Sequence, residues 1–221
     1  MLRAVIFDMD GVLCDSEPFI FEAACRMFLE RHARVVQPAD FRPFVGMGED
    51  RFLGGVAAKY GVKLQTAADK DRTYEIYLQL IPGRLQPLPG AHAFIAAARA
   101  RGLKLALATS ADRVKLQGNL AAIKLPEGLF DAAITGTEVL RKKPHPDIFL
   151  LAAEKIGVAS ADCLVVEDAP SGLEAGKAAG CRCLGITSTF AAEQLRAAGA
   201  DWIEPDLAHA LALLTTLTGV H

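Results

Sequence analysis

Two hydrophobic periods divide the chain. Residues Ala4–Phe7 form an unbroken apolar run, and largely apolar runs recur at 103–108, 132–135, 163–166 and 181–186, with a short one at Trp202 and Ile203. Runs of this length, apolar on both faces, predict strands buried in a parallel sheet. Between them, residues 90–101, 111–123, 146–157, 171–180, 191–199 and 206–217 carry apolar residues at helical spacing. The alternation predicts an α/β fold, with helices on both faces of a Rossmann-like parallel sheet.

The stretch from 16 to 86 breaks the rhythm. It holds no strand pattern, and 19–31, 50–60 and 66–80 read as helices. Pro38, Pro43, Pro82, Pro87 and Pro89 punctuate its turns and its exit. The expected division is a Rossmann-like core made of 1–15 and 87–221, with 16–86 inserted as an all-helical cap. Both connections sit beside the end of the first strand, so the insert is placed to act as a lid.

Composition narrows the partners. Of 221 residues, 52% are apolar, enough for a sizeable core. Lys+Arg number 24 against 26 Asp+Glu, and the densest basic run is only Arg141-Lys142-Lys143. Nucleic acid is therefore not expected as a partner. No apolar stretch reaches membrane-spanning length, so no membrane partner is expected either. Asp8 and Asp10 interrupt the first apolar run, which does not read as a signal peptide; a cytoplasmic protein is expected, as a monomer or weak dimer. The five cysteines have no zinc spacing and read as reduced thiols.

The chemistry gathers at predicted strand ends. Asp8-Met9-Asp10-Gly11-Val12 follows the first strand, Thr109-Ser110 the second, and Glu167-Asp168 the fourth; Lys143 follows the third. A parallel sheet brings such ends to one edge. Carboxylates for a hard cation, a hydroxyl and an ammonium together form an inventory for handling a phosphoryl group. Each cluster also has a plainer reading. Asp-x-Asp-Gly suits a turn, Thr109-Ser110 suits a helix cap, and Lys143 or Glu167-Asp168 suit a solvated strand end.

The ordered set resembles the haloacid dehalogenase superfamily, in the branch with a helical cap that includes phosphoglycolate phosphatase and β-phosphoglucomutase. Asp8-x-Asp10-Gly11-Val12, Thr109 after Leu105-Ala106-Leu107-Ala108, Lys143-Pro144-His145-Pro146-Asp147 and Glu167-Asp168-Ala169-Pro170-Ser171-Gly172 carry the likeness. The resemblance implies a phosphatase acting on a small phosphorylated substrate, with Mg²⁺ as cofactor. It makes Asp8 the nucleophile and a metal ligand. Asp10 becomes the general acid/base, its backbone carbonyl a further ligand. Thr109, Ser110 and the Gly11 turn would surround the phosphate, and Lys143 would bridge it to Asp8. Asp168 would ligate the metal, and Glu167 would do so directly or through water.

In the insert, the segment from Phe44 to Arg51 is the expected specificity loop, with Gly46 allowing close approach. Glu49 and Arg51 either contact the substrate body or are solvated helix charges. Arg113 and Asn119 are candidates from the core side. The loop region is also similar to the phosphatase-like domain of a larger plant chloroplast protein. β-Phosphoglucomutase-like caps usually carry a histidine and an arginine where this chain has Ile20 and about Gly48, which counts against a mutase. A phosphomutase and, more remotely, a non-catalytic phospho-ligand-binding protein remain the alternatives.

Overall fold

The computed structural model describes residues 1–219. Six strands, β1 (Ala4–Phe7), β2 (Lys104–Ala108), β3 (Ala132–Ile134), β4 (Cys163–Glu167), β5 (Arg182–Ile186) and β6 (Trp202–Glu204), pair in parallel in the order β3-β2-β1-β4-β5-β6. β1 is central, with Val5 opposite Leu105 on one side and Leu164 on the other. The chain moves outward from β1 to β3, then returns to β4 beside β1. Strand order therefore reverses at β1 and β4, and the crevice at their carboxyl ends is where such sheets bind ligands.

Side chains alternate across the sheet. Val5 and Phe7 face one apolar layer, which contains Phe94 and Ile95 of α4 (Ala91–Ala100), Leu116 and Leu120 of α5 (Arg113–Ala122) and Leu214 of α9 (Leu211–Thr218). Ala4 and Ile6 face the other, which contains Phe149 of α6 (Asp147–Ile156), Leu173 of α7 (Pro170–Ala178) and Leu195 of α8 (Ala192–Ala197). All four β1 side chains are fully buried, which is why the strand carries no polar residue until Asp8.

Residues 16–86 hold α1 (Glu17–His32), α2 (Glu49–Tyr60) and α3 (Thr66–Leu80), with two short 3₁₀ turns between α1 and α2 and no strand. Phe41 stacks on Phe52 with ring centres 4.6 Å apart, and Phe52 on Phe21 at 5.8 Å. This aromatic stack is continuous with the apolar layer under α4 and α5. The chain departs and returns at adjacent points: Cys14 bridges Pro87, and the Leu88 N–H donates to the Leu13 carbonyl at 2.9 Å. No described helix is long and apolar enough to cross a membrane. The cysteines are unpaired, and all but Cys25 are buried.

Most element ends fall within two residues of the periodicity, and two helix starts differ for a visible local reason. The last helix begins at Leu211, not 206, because the Asp206 carboxylate accepts from the His209 N–H at 2.9 Å and holds a turn. α5 begins at Arg113, not 111, because Thr109 Oγ1 accepts from the Ala111 N–H at 3.1 Å.

Buried Asp69 ties α1 to α3. It accepts from Arg31, pairs with His32 Nε2 at 3.0 Å and accepts the Gln65 N–H at 2.7 Å. Burial alone would raise its pKa, but these donors win and hold it below the usual carboxylate range. A depressed folded pKa contributes stability that is present above the unfolded value, ~3.9, and lost as pH falls toward the folded one. Asp69→Asn should therefore lower stability at neutral pH by about 1–3 kcal/mol and flatten its fall below ~pH 4. Urea unfolding of both proteins at neutral and acid pH checks this.

Candidate active site at the carboxyl edge of the sheet

Asp8 directly follows β1, its N–H bonded to the Val166 carbonyl at 2.9 Å. That bond carries the sheet register one residue past the strand and sets the carboxylate at the switch point. Lys143 arrives on the loop after β3, ahead of a cis peptide to Pro144. Its Nζ donates to Asp8 Oδ1 at 2.6 Å, to Glu167 Oε1 at 2.5 Å and to the Ala108 carbonyl at 3.1 Å. All three side chains are buried. Burial opposes the Lys143 charge, but Asp8 and Glu167 overcome it and raise its pKa. Burial also raises Asp8, with Lys143 pulling the other way and Glu167 and Asp10 adding to the rise.

Asp8, Glu167 and Asp168 place carboxylate oxygens within 4.8 Å of one another. Burial, then repulsion from Glu167 and Asp8, drives Asp168 well above the ordinary carboxylate range. One ammonium does not balance three clustered acids, and an all-oxygen donor set of this kind fits a hard divalent cation. The backbone is shaped for these oxygens. Gly11 has φ +75°, and a Cβ there would lie 2.0 Å from Asp168 Oδ2; a Cβ on Gly172 would lie 1.9 Å from Glu167 Oε1. Glu167 is already engaged, since Oε2 accepts the N–H groups of Asp168 at 3.1 Å and Ala169 at 3.2 Å. It orients the cluster more than it offers free oxygen.

Asp10 points elsewhere. Its carboxylate accepts from Lys115 at 2.6 Å, from Asn119 at 3.1 Å and from the Ser16 hydroxyl. Lys115 is buried, and its Nζ lies 3.9 Å from Glu49 of α2. Against burial, Asp10 and then Glu49 raise its pKa. Tyr77 of α3 donates its hydroxyl to Asn119. This network joins the strand end, the core helix α5 and the helical insert. Lys115 was not among the residues expected from the sequence. Its signal was helical phase: it stands four before Asn119, on the same face of α5.

A cavity partly open to solvent lies between the sheet edge and the insert. Asp8, Asp10, Thr109, Ser110, Lys143, Glu167 and Asp168 line its floor, and Gly46 and Glu49 line its roof. Gly11 sits behind Asp168 and shapes the turn, without lining the cavity. Asn119 is turned to Asp10 instead, and neither of the two expected arginines is brought there. Arg51 is exposed, because it follows Glu49 by two positions and so turns about 200° around α2. Arg113 is two before Lys115 on α5 and is held by Glu127 at 2.6 Å, the Ala133 carbonyl at 2.9 Å and Glu138 at 3.1 Å. Neither Arg51 nor Arg113 lines the cavity.

Comparison with known proteins places this geometry. A family model, haloacid dehalogenase-like hydrolase, matches residues 2–180. The chain is 42% identical over 221 residues to the chloroplastic protein SUPPRESSOR OF QUENCHING 1 of Arabidopsis thaliana, covering 99% of this chain and 21% of that longer protein. It is 34% identical over 179 residues to the phosphorylated carbohydrates phosphatase of Thermotoga maritima, covering 81% and 82%. CbbY from Rhodobacter sphaeroides, solved in complex with phosphate, superposes with a TM-score of 0.84 at 26% identity, over 95% of this chain and 96% of its own.

The carboxylate cluster predicts a response to metal. A carboxyl whose folded pKa is raised destabilises the fold once ionised. Asp168→Asn should therefore melt higher than the unmutated protein in EDTA at neutral pH. Mg²⁺ at about 100 times its dissociation constant should raise the melting temperature of the unmutated protein by about 5–10 °C, and that of Asp168→Asn far less. Thermal melts with Mg²⁺ and with EDTA measure both.

Proposed function

The chain belongs to the haloacid dehalogenase-like hydrolases, and from that premise we propose a Mg²⁺-dependent phosphatase that hydrolyses a small phosphomonoester through an aspartyl phosphate on Asp8. The observation that carries the reading is the buried Lys143 ammonium held between Asp8 and Glu167, beside Asp168, on the floor of the cleft. The naming of similar proteins as phosphatases supports it.

Lys143 occupies Asp8 Oδ1, which leaves Oδ2 to attack phosphorus. In the first half-reaction the Oδ2–P bond forms and the bond from phosphorus to the leaving oxygen breaks. Asp10 gives that oxygen its proton, releasing the alcohol. In the second, Asp10 takes a proton from water as the water oxygen bonds to phosphorus. The Asp8–P bond then breaks, freeing inorganic phosphate. Thr109, Ser110 and the amides leading into α5 receive the phosphate oxygens at the positive end of that helix. Asp8, Asp168 and the Asp10 carbonyl are the residues to hold Mg²⁺, with Glu167 bound directly or through water. When bound, that ion supplies several kcal/mol of charge stabilisation to an anionic nucleophile meeting an anionic phosphate.

The insert at 16–86 serves as the lid over the core of 1–15 and 87–221, excluding water during the first half-reaction. A mutase reading has less support. Ile20 lines the cavity and offers no titratable group, and Gly48 offers no cation to hold a second phosphate.

Phosphate release from phosphomonoesters, measured with Mg²⁺ and with EDTA, tests the reading; metal-dependent release is expected. Asp8→Asn should retain the fold and lose at least about a thousandfold in kcat. Asp10→Ala should accumulate phosphoenzyme in a rapid quench. Ca²⁺ should inhibit, since its looser coordination disturbs in-line geometry. Wild-type turnover by Asp8→Asn would remove the nucleophile assignment.

A further inference from the structure

Lys115 is a buried ammonium with no part in the two half-reactions. Its Nζ donates to Asp10 Oδ2 at 2.6 Å, and among the described residues it is the one cation in ion-pair contact with Asp10. Its other charged neighbour, Glu49, is farther away at 3.9 Å. The Lys115 side chain is 6% exposed and that of Asp10 is 25% exposed. A substrate can therefore reach Asp10 while the ammonium stays largely covered.

The rest of the network fixes both partners. Asn119 Nδ2 donates to Asp10 Oδ1 at 3.1 Å, and the Ser16 hydroxyl donates to the same oxygen. Asn119 in turn accepts from the Tyr77 hydroxyl, and the Tyr77 ring centre lies 5.9 Å from Lys115 Nζ. Lys115 and Asn119 share a face of α5, so one helix presents an ammonium to one carboxylate oxygen and an amide to the other. A two-point grip of this kind holds the plane of the carboxylate as well as its position. An acid that must meet a leaving oxygen at hydrogen-bond distance depends on that, since an ångström of misplacement costs about a hundredfold in rate.

Resting on the phosphatase reading above, we infer that Lys115, with Asn119, is the positioning residue for Asp10: it sets the carboxyl group where it delivers a proton to the leaving oxygen and later takes one from water. Lys115 keeps its own protons and touches no reacting atom. The other role its place allows is direct attraction of the substrate phosphate, because Lys115 also borders the cavity. The two roles differ in what they predict. Attraction of phosphate would help every phosphomonoester alike. Positioning of Asp10 helps where the leaving oxygen needs a proton: a departing alkoxide does, and a departing p-nitrophenolate does not.

Lys115→Met, which keeps the length and removes the charge, tests this through kcat/KM, which reports the steps up to departure of the leaving group. In Mg²⁺, p-nitrophenyl phosphate is compared with three phosphates of primary alcohols: glycerol 1-phosphate, glucose 6-phosphate and 2-phosphoglycolate. On the best of the three, Lys115→Met should lose about a hundredfold, and on p-nitrophenyl phosphate less than about fivefold. Added to Asp10→Ala, it should cost less than about threefold more, because the group it positions is already gone. Asn119→Ala should show the same selective loss, smaller in size, and decides the matter if Lys115→Met does not fold. Equal losses on both kinds of leaving group, or full additivity with Asp10→Ala, overturn the inference and leave the phosphatase reading standing. So does release from p-nitrophenyl phosphate alone, since Asp10 as held would then protonate no alkoxide. No release from any of the four by the unmutated protein overturns the phosphatase reading itself, and the inference with it.

Discussion

Three acids cannot share a buried strand end without a counter-charge, and the Lys143 ammonium is the one this chain provides. It touches Asp8, Glu167 and the Ala108 carbonyl at once, so it links the ends of β1, β2 and β4. Removing one partner from such a buried set leaves a charge uncompensated and is strongly unfavourable. The rest of the site is arranged around that demand. Gly11 and Gly172 leave room for the carboxylates, and the amides after Glu167 hold its second oxygen. The remaining negative excess is what makes the cluster fit a divalent cation.

A second buried lysine couples the two halves of the molecule. Lys115 sits on the core helix α5 yet reaches Asp10 on the sheet edge and Glu49 on the insert. The position of the insert over the cleft therefore bears on where the Asp10 carboxylate points. Tyr77 strengthens the same seam through Asn119. The floor and the roof of the cavity are thus joined by charge through Lys115, and one continuous apolar layer runs beneath them.

The strand ends were legible because burial leaves little choice there. A strand with both faces covered must be apolar along its length, so the first polar residues mark its end. In a parallel sheet all those ends share one edge. Asp8, Thr109, Glu167 and Asp168 could be grouped on that basis, and the structure brings them to one cavity floor together with Lys143 from the loop after β3. The helical residues were less legible. Arg51 and Arg113 have the right chemistry and the wrong phase, while Glu49 and Lys115, each two positions away, face the cavity. Charge alone does not reveal which side of an amphipathic helix lies over a ligand.

By itself, then, the sequence determined the layer architecture, the inserted helical segment and the polar edge. Each follows from local periodicity and from the rule that buried strands stay apolar. Tertiary structure decided which oxygens are free and which are spent. Glu167 is largely satisfied by Lys143 and two amides, and Asp10 is turned toward Lys115. Those outcomes depend on distances of a few ångströms, some of them between segments a hundred residues apart. Hydrogen bonds and ion pairs fall off over that range, and no period along the chain encodes it.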